Sequence, residues 1–511
     1  MACLSDRRVI VYSGEGGDYP GTPPFHPQVR YPEYCWAETG AEPNLAYQVV
    51  RECFHLAGLD EGRYGTPDWS PLADLIHRNE TVLLKPNMVH QQHPRDPQGW
   101  RYVITHGSIV RAVADYVWKA IGKNGKIIVA DAPQTDACFT EMVRLLGLDA
   151  IRGFYRSHDL NFELIDLRRE EWTTRGGVVT ERRPLPPNGY GDIAFDLGQG
   201  SEFATHESAG RYYGADYDAD VVNHHHSGGR HEYLIAGCAI RCDVVFSLPK
   251  LKTHKKAGVT ASLKNLVGVN ADKNWLPHHT EGAPRQGGDE HPNPDLKHKA
   301  ERKLAAGLRR LSLAVPVVGP WALRGARQLG RPVFGDTEQV VRSGNWWGND
   351  TVWRMCLDLN KIVLYGNPDG SLRAAAPQNR KRHYVLVDGI LAGQGRGPMN
   401  PDPFPAGIAA FGLHAPSVDA ACACLMGFDP DKIPIIRQAF QCHHFALAEH
   451  GWRDVTLTSN RAAWNGPVVN VPASETFHFE PHFGWKGHIE REAADHEYGA
   501  EEAIEKRARP A

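Results

Sequence analysis

Short apolar runs alternate with amphipathic segments through the first half of the chain. The runs at 82–84, 126–130 and 162–167 have the length of buried strands. Between the first two, apolar residues recur at helical spacing after Ser108, and Gly122 follows the last of them, as is typical of a helix end. Strands that alternate with helices predict crossover connections. We therefore expect an α/β fold with a mainly parallel, twisted sheet flanked by helices.

The alternation returns in the second half but is interrupted twice. Further elements are predicted as strands at 243–248, 384–387 and 407–411, and as helices at 350–360, 417–426 and 432–440. The predicted organisation is a discontinuous core (1–167, 236–270 and 346–490), an irregular insertion or lid (168–235), a polar loop with a basic amphipathic helical excursion (271–345), and a charged tail (491–511). For the stretch 296–330, burial against the core, contact with a membrane surface and oligomerisation are all open alternatives.

The composition indicates which kinds of molecule the protein can bind. The 511 residues carry a formal net charge of -3, so we expect no nucleic-acid partner. No apolar segment reaches the roughly 20 residues that span a bilayer, and the N-terminal apolar run is too short for a secretory signal and is predicted to be the first strand. The ten cysteines form no CxxC pair and no iron–sulfur motif, which is typical of reduced thiols. These features favour a cytoplasmic protein, without a transmembrane segment, whose partner is a small molecule.

Positive charge is concentrated in the segment 249–268, PKLKTHKKAGVTASLKNLVG. Lys250, Lys252 and His254 directly follow a predicted strand, and Lys264 and Asn265 lie a little further on. A helix predicted to begin near Gly258 would point its free N–H groups at the same place. The segment therefore predicts a pocket for an anion, and the alternative is a run of solvated surface lysines.

Other predicted strands also end in polar residues. Lys85 and Asn87 follow one strand, Asp131 ends the next, and Asp388 follows a third. Ligands of open parallel sheets bind outside the carboxyl ends of the strands. We expect lysines 85, 250, 252 and 264 to hold the anion and Asn87 and Asn265 to orient it. His254, with Asp131 or Asp388, would move a proton, and the neighbouring lysines should lower the pKa of His254. The alternative for each aspartate is a structural role in a turn.

Histidine is abundant, with 26 residues, and several lie beside carboxylates. The loop WLPHHTEGAPRQGGDEHP places His278, His279, Asp289 and Glu290 close in sequence, and neutral imidazoles with carboxylates are common ligands of divalent metals. This group is the candidate metal site. Hydrogen bonding to phosphate or carboxylate, and a purely structural loop, are the alternatives.

These motifs resemble one known family along most of the chain. They are VLLKPNMV at 82–89, KIIVADAP at 126–133, DVVFSLPKLKTHKKAGVTASLKNLVG at 243–268, YVLVDGILAGQGRGPM at 384–399 and APSVDAACACLMGF at 415–428. Their order is similar to that of the bacterial and archaeal family called "domain of unknown function 362". This chain also contains NWWGNDTVWRMCLDLN at 345–360. In this it is similar to a longer branch of the family, which is associated with surface-polysaccharide gene neighbourhoods.

The resemblance implies the fold and the place of the site but no reaction. Many relatives carry a ferredoxin-like module or an export signal, and this chain has the motifs of neither. We expect a cytoplasmic enzyme that acts on a small anionic metabolite with a phosphate or carboxylate group, such as a sugar derivative, with or without a divalent metal. A redox or iron–sulfur electron-transfer protein and a non-catalytic biosynthetic scaffold are the alternatives, and homo-oligomerisation is open.

Overall fold

The computed structural model describes residues 7–491, apart from 17, 176–177, 207, 215–217, 295–339 and 442–443. Its strands are β1 (Arg8–Ser13), β2 (Thr81–Pro86), β3 (Lys126–Asp131), β4 (Asn161–Asp166), β5 (Glu170–Arg175), β6 (Val178–Pro184), β7 (Asp192–Asp196), β8 (Tyr212–Tyr213), β9 (Glu232–Ala236), β10 (Val244–Leu248), β11 (Lys250–His254), β12 (Gly258–Thr260), β13 (His279–Thr280), β14 (Arg382–Gln394), β15 (Asp402–Phe404), β16 (Ile408–Gly412), β17 (Thr456–Ser459) and β18 (Gly466–Pro467). Its α-helices are α1 (Leu45–Leu56), α2 (Trp100–Val103), α3 (Gly107–Ile121), α4 (Phe139–Leu145), α5 (Leu148–Ser157), α6 (Ala219–His225), α7 (Gly237–Arg241), α8 (Ser262–Asn265), α9 (Val352–Tyr365), α10 (Ala415–Met426) and α11 (Pro434–Ala439).

One large sheet organises the described part of the chain. Twelve of its strands belong to this sheet, whose main path runs β18-β17-β1-β16-β14-β10-β2-β3-β4. From β14 to β4 every neighbouring pair is parallel, whereas β16 is antiparallel to both β14 and β1. The mainly parallel sheet flanked by helices confirms the predicted α/β fold.

The sheet is buried on both faces. Along β2, Leu83 packs into one apolar core and Val82 and Leu84 pack into the other, because successive side chains of a strand point to opposite faces. Helices α1, α3 and α5 cover the face of Val82, and α9 and α10 cover the face of Leu83. Burial on both faces is why these strands consist of unbroken apolar runs in the sequence.

Most of the predicted elements are present. The runs at 82–84, 126–130 and 162–167 correspond to β2, β3 and β4, and the helix after Ser108 is α3, which Gly122 ends at a φ of 71°. The later predictions correspond to β10, β16, α9, α10 and α11. Apolar periodicity therefore located the core elements of both halves.

Some parts of the chain differ from the predictions, and others lie outside the described residues. Strand β14 continues to Gln394, because its second half pairs with β11 and β15. The insertion 168–235 contains strands β5 to β9 and helix α6, so it is not irregular throughout, and its role as a lid stays a prediction. The amphipathic excursion falls almost wholly within 295–339 and the tail within 492–511, both outside the described residues.

None of the helices in the described ranges combines the length and the apolar content that crossing a bilayer requires.

Candidate functional site

The basic segment after β10 folds as two short strands. Strand β11 pairs parallel with β14 and antiparallel with β12, with Lys252 opposite Thr260 and His254 opposite Gly258. Lys250 and Lys252 have no exposed surface. The alternative that these two lysines are solvated surface charge is therefore wrong.

The prediction that a helix begins near Gly258 is also wrong. Gly258 has a φ of 79° and begins β12. The following helix, α8, is a single turn, and its first N–H groups, those of Ser262 and Leu263, donate to the Asp419 carboxylate at 2.7 and 3.0 Å. Because these donors are already used, the positive charge of the site comes from side chains.

Lys85 and Asp131 form an ion pair at the adjacent carboxyl ends of β2 and β3. The Lys85 Nζ to Asp131 Oδ1 distance is 2.8 Å, and both side chains are buried. Asp131 Oδ2 also accepts from the Met88 N–H at 2.6 Å. The structure thus brings together two residues that the sequence placed at neighbouring strand ends, and they neutralise each other.

Two asparagines connect this ion pair with β11. The Asn265 amide donates to the carbonyl of Lys85 at 2.9 Å and to the Ser247 hydroxyl at 2.8 Å, which leaves its Oδ1 facing Lys85 Nζ at 3.3 Å. Asn87 Oδ1 accepts from Lys252 Nζ at 3.4 Å. Lys252 also donates to the carbonyl of Val103. Lys85, Asn87, Lys252 and Asn265 therefore belong to one contiguous network.

Lys264 is the electrostatic centre of the group that we call the lysine cluster, which comprises Lys85, Lys252, Lys264 and Lys273. It is half-buried, and no carboxylate or hydrogen-bond acceptor among the described residues pairs with its ammonium group. Its charge lowers the pKa of the other three lysines, in each case after the larger effect of burial. Like charges brought together in a region of low dielectric disfavour one another's protonated forms.

Lys273 is the member of the cluster that the sequence did not predict. It is buried and donates to the carbonyls of Val267 and Asn270 at 3.2 and 3.3 Å. Burial lowers its pKa to about 7, and Lys85, Lys264 and Arg168 contribute, while Asp131 opposes the shift. Because it lies in a polar stretch, the local sequence resembles an ordinary exposed loop. The available signal was the closeness of Lys273 in sequence to the basic segment 249–268.

His254 is held as a neutral hydrogen-bond donor. Its Nδ1 accepts from the backbone N–H groups of Lys256 and Ala257 at 3.0 and 3.1 Å, which places the ring proton on Nε2. Burial, followed by Lys264 and the other lysines nearby, holds its pKa well below the usual value. The predicted direction is confirmed, although burial is the larger cause. This geometry favours donation of a hydrogen bond over acceptance of a proton.

Lys250 and Asp388 form a second ion pair, with both side chains fully buried and 2.7 Å between the charged atoms. Asp388 also accepts from the Tyr19 hydroxyl at 2.5 Å and from the His106 N–H at 2.9 Å. Asp388 lies in the middle of β14, so the prediction that it follows the end of a strand is wrong. Its contacts are those of a structural ion pair that joins β11 to β14.

The four residues of the candidate metal group are not brought together as a ligand set. The Asp289 carboxylate accepts from the N–H groups of Thr280 and Thr351 and from the Thr351 hydroxyl at 2.6 to 2.8 Å. His279 lies in β13 and stacks on Tyr213, and Glu290 accepts from Gly282 N at 3.3 Å. Within the described ranges, no three His, Cys, Asp or Glu side chains converge as metal ligands.

His278 differs from the other members of that group. Its Nδ1 donates to the carbonyl of Leu276 at 2.9 Å. Burial and the charges of Lys256, Lys264 and Lys273 hold its pKa well below the usual value. It therefore borders the lysine cluster.

Comparison with known proteins assigns part of the chain to a family. No curated protein matches the sequence. A family model described as a domain of unknown function (DUF362) matches residues 198–424, a range that includes β11, β12, α8, Lys273 and Asp419 and leaves out Lys85, Asn87 and Asp131. Residues 198–424 are thus a domain of the DUF362 family, as the sequence motifs indicated.

Proposed function

We propose that this chain is an enzyme that binds a small anionic metabolite at the lysine cluster. The observation that carries the proposal is Lys264, a half-buried ammonium group with no counter-ion among the described residues. Its charge lowers the pKa of each of three buried lysines, Lys85, Lys252 and Lys273, after the larger effect of burial. Buried charges are normally paired, because taking an ion out of water is costly. An anionic ligand would supply the missing partner.

The charges of the cluster support an anion over a cation. Asp131 is the carboxylate that raises the pKa of Lys252 and Lys273, but it is already bonded to Lys85. His254 presents an N–H group and Lys264 an ammonium group. Perturbed pKa values of this kind cluster at functional sites.

In this proposal each residue has a defined role. Lys264 holds the anion, Lys252 and Lys273 add charge behind it, and His254 donates a hydrogen bond. Asn265 is fixed by the Lys85 carbonyl and the Ser247 hydroxyl, and its Oδ1 keeps Lys85 and Asn87 in place by accepting from both side chains. Lys250 and Asp388 support β11 from within the fold. The resemblance to the polysaccharide-associated branch makes a sugar derivative our candidate metabolite.

We also propose that the protein works in the cytoplasm. The eight cysteines that the structure describes as thiols are free of disulfides, and seven of them are buried or half-buried. Free thiols of this kind suit a reducing compartment.

The test compares two lysine-to-methionine variants in calorimetric titrations with inorganic phosphate and with citrate. K264M should weaken binding of these anions roughly 10- to 100-fold, because a charge-assisted hydrogen bond contributes about 1.5–3 kcal/mol. K255M is the matched control, since Lys255 lies nearby but its side chain is exposed, and its affinity should stay within about twofold of wild type. Unchanged affinity in a folded K264M, or no binding of either anion by wild type, contradicts the proposal.

A further inference from the structure

The donors near Lys264 lie on different elements of the fold. Lys252 lies on β11, Thr260 on β12 and Lys264 on α8, and Lys273 begins the short helical turn Lys273–Trp275. The ammonium group of a lysine acts as a point charge, whereas planar carboxylates are matched best by the flat fork of arginine. The nearby Arg168 is already paired with Asp166. Donors carried by separate elements suit a ligand whose oxygens point to the corners of a tetrahedron.

Thr260 supplies an independent observation. Its side chain is 2% exposed, and its Oγ1 has no hydrogen-bond partner among the described residues. Thr260 lies directly opposite Lys252 in the β11–β12 pair, so the two side chains share one face of the ladder. A buried hydroxyl without a partner costs free energy. A ligand oxygen beside Lys252 would satisfy it.

The charge of the cluster sets the charge of the ligand. Once Asp131 has neutralised Lys85, three lysines remain, namely Lys252, Lys264 and Lys273. A single negative charge would leave at least two of them unbalanced when all are protonated. A dianion balances the cluster better, and a phosphoryl group provides two charges and three acceptor oxygens on one atom.

We infer that the ligand presents a phosphoryl group, a tetrahedral dianion that Lys264, Lys252 and the Thr260 hydroxyl bind in preference to a carboxylate. This inference rests on the proposed anion site and adds the chemical class of its ligand. Binding is coupled to protonation of the cluster. The amine of Lys273 has a pKa of about 7 in the free protein, and a bound dianion favours its protonated form.

The experiment uses the full chain and three probes at a pH of about 8, where phosphate, sulfate and malonate are all mainly dianions. Inorganic phosphate and sulfate are tetrahedral, whereas malonate carries two negative charges on planar carboxylates. Titration calorimetry should give phosphate and sulfate affinities at least about tenfold higher than that of malonate. Equal or tighter malonate binding overturns the phosphoryl inference and leaves the anion site standing. No binding of any of the three probes overturns both.

Two variants test the named donors. T260V keeps the shape of the side chain but removes the hydroxyl, and it should lower the sulfate affinity several-fold while the malonate affinity stays the same. T260S should restore sulfate binding. A folded T260V that binds sulfate as tightly as wild type overturns the role of Thr260.

Sulfate also reports the coupled proton, because it stays a dianion across the range tested. Its affinity should fall as pH rises above about 7, approaching tenfold per pH unit for one coupled proton, since Lys273 then loses its charge. K273M should flatten this dependence. A sulfate affinity that does not change with pH in the wild type overturns the coupling.

Discussion

Gly268 lies where the Lys85–Asp131 ion pair leaves no room for a side chain. A Cβ atom there would be 1.8 Å from Asp131 Oδ1 and 2.6 Å from Lys85 Nζ. The carbonyl of Gly268 accepts from Ala132 N at 2.7 Å, which holds this backbone close to the end of β3. The φ of Gly268 lies outside the left-handed region, so backbone conformation does not require a glycine here. The requirement comes from the close approach of the Asp131 and Lys85 side chains.

We predict that G268A lowers the free energy of unfolding by about 1–3 kcal/mol, the usual cost of an extra methyl group in a packed interior. Urea denaturation measures the change. G153A is the matched control, because Gly153 lies in α5 and a methyl group added there would have no atom within 4 Å outside its own helix turn. That variant should be neutral or more stable, since alanine favours helices. Equal stability losses in the two variants would contradict this account.

The turn α8 depends on α10 for its geometry. Four residues cannot stabilise a helix alone, and the Asp419 carboxylate of α10 holds the turn by its first two N–H groups. Burial raises the pKa of Asp419 to about 7, while these hydrogen bonds oppose the shift. We therefore regard Asp419 as a positioning residue for Lys264.

We predict that D419N destabilises the protein and also weakens phosphate binding, because an amide accepts fewer hydrogen bonds than a carboxylate. The expected stability loss is about 1–3 kcal/mol. D358N is the control, since Asp358 is equally buried but accepts from Ser201, Glu202 and Tyr233. It should lose stability and keep its phosphate affinity. Denaturation and calorimetry together separate the two effects, and a D419N protein with wild-type affinity would refute the positioning role.

The sequence predicted the elements of the core better than the contacts of the site. Strands β2, β3 and β10 are apolar through most of their length, so their length and neighbours identify them. Strand β11 has the sequence KLKTH, in which Leu251 and Thr253 alternate with lysine and histidine. Because buried charge is rare, this pattern predicts a strand end rather than a buried strand. The burial of Lys273 and Thr260 depends on tertiary packing that local sequence does not encode.

Across the whole molecule, the Lys250–Asp388 pair joins segments that are far apart in the chain. Lys250 Nζ also donates to the Tyr19 hydroxyl at 2.8 Å and to the carbonyl of Arg101 at 2.9 Å. The N-terminal segment, α2, β11 and β14 therefore meet at one buried charge. Removing one member leaves the other charged and unpaired.

We predict that K250M lowers the free energy of unfolding by about 3–5 kcal/mol. The double variant K250M/D388N should be less destabilised than the sum of the two single variants, because no buried charge is left without its partner. K126M is the control, since Lys126 and Glu163 form a half-exposed pair at 3.0 Å and should contribute at most about 1 kcal/mol. Additive losses in the double variant, measured by urea denaturation, would contradict the prediction.

Strand β1 has a consequence for the order in which the protein can fold. It lies between β16 and β17, so that Val9 pairs with Gly412 on one side and with Leu457 on the other. During synthesis β1 leaves the ribosome long before its neighbours β16 and β17 are made. A nascent chain halted before residue 408 would carry an apolar strand with neither partner, a template for association between chains. The central sheet is completed only after β17 and β18 have been translated, more than 400 residues after β1.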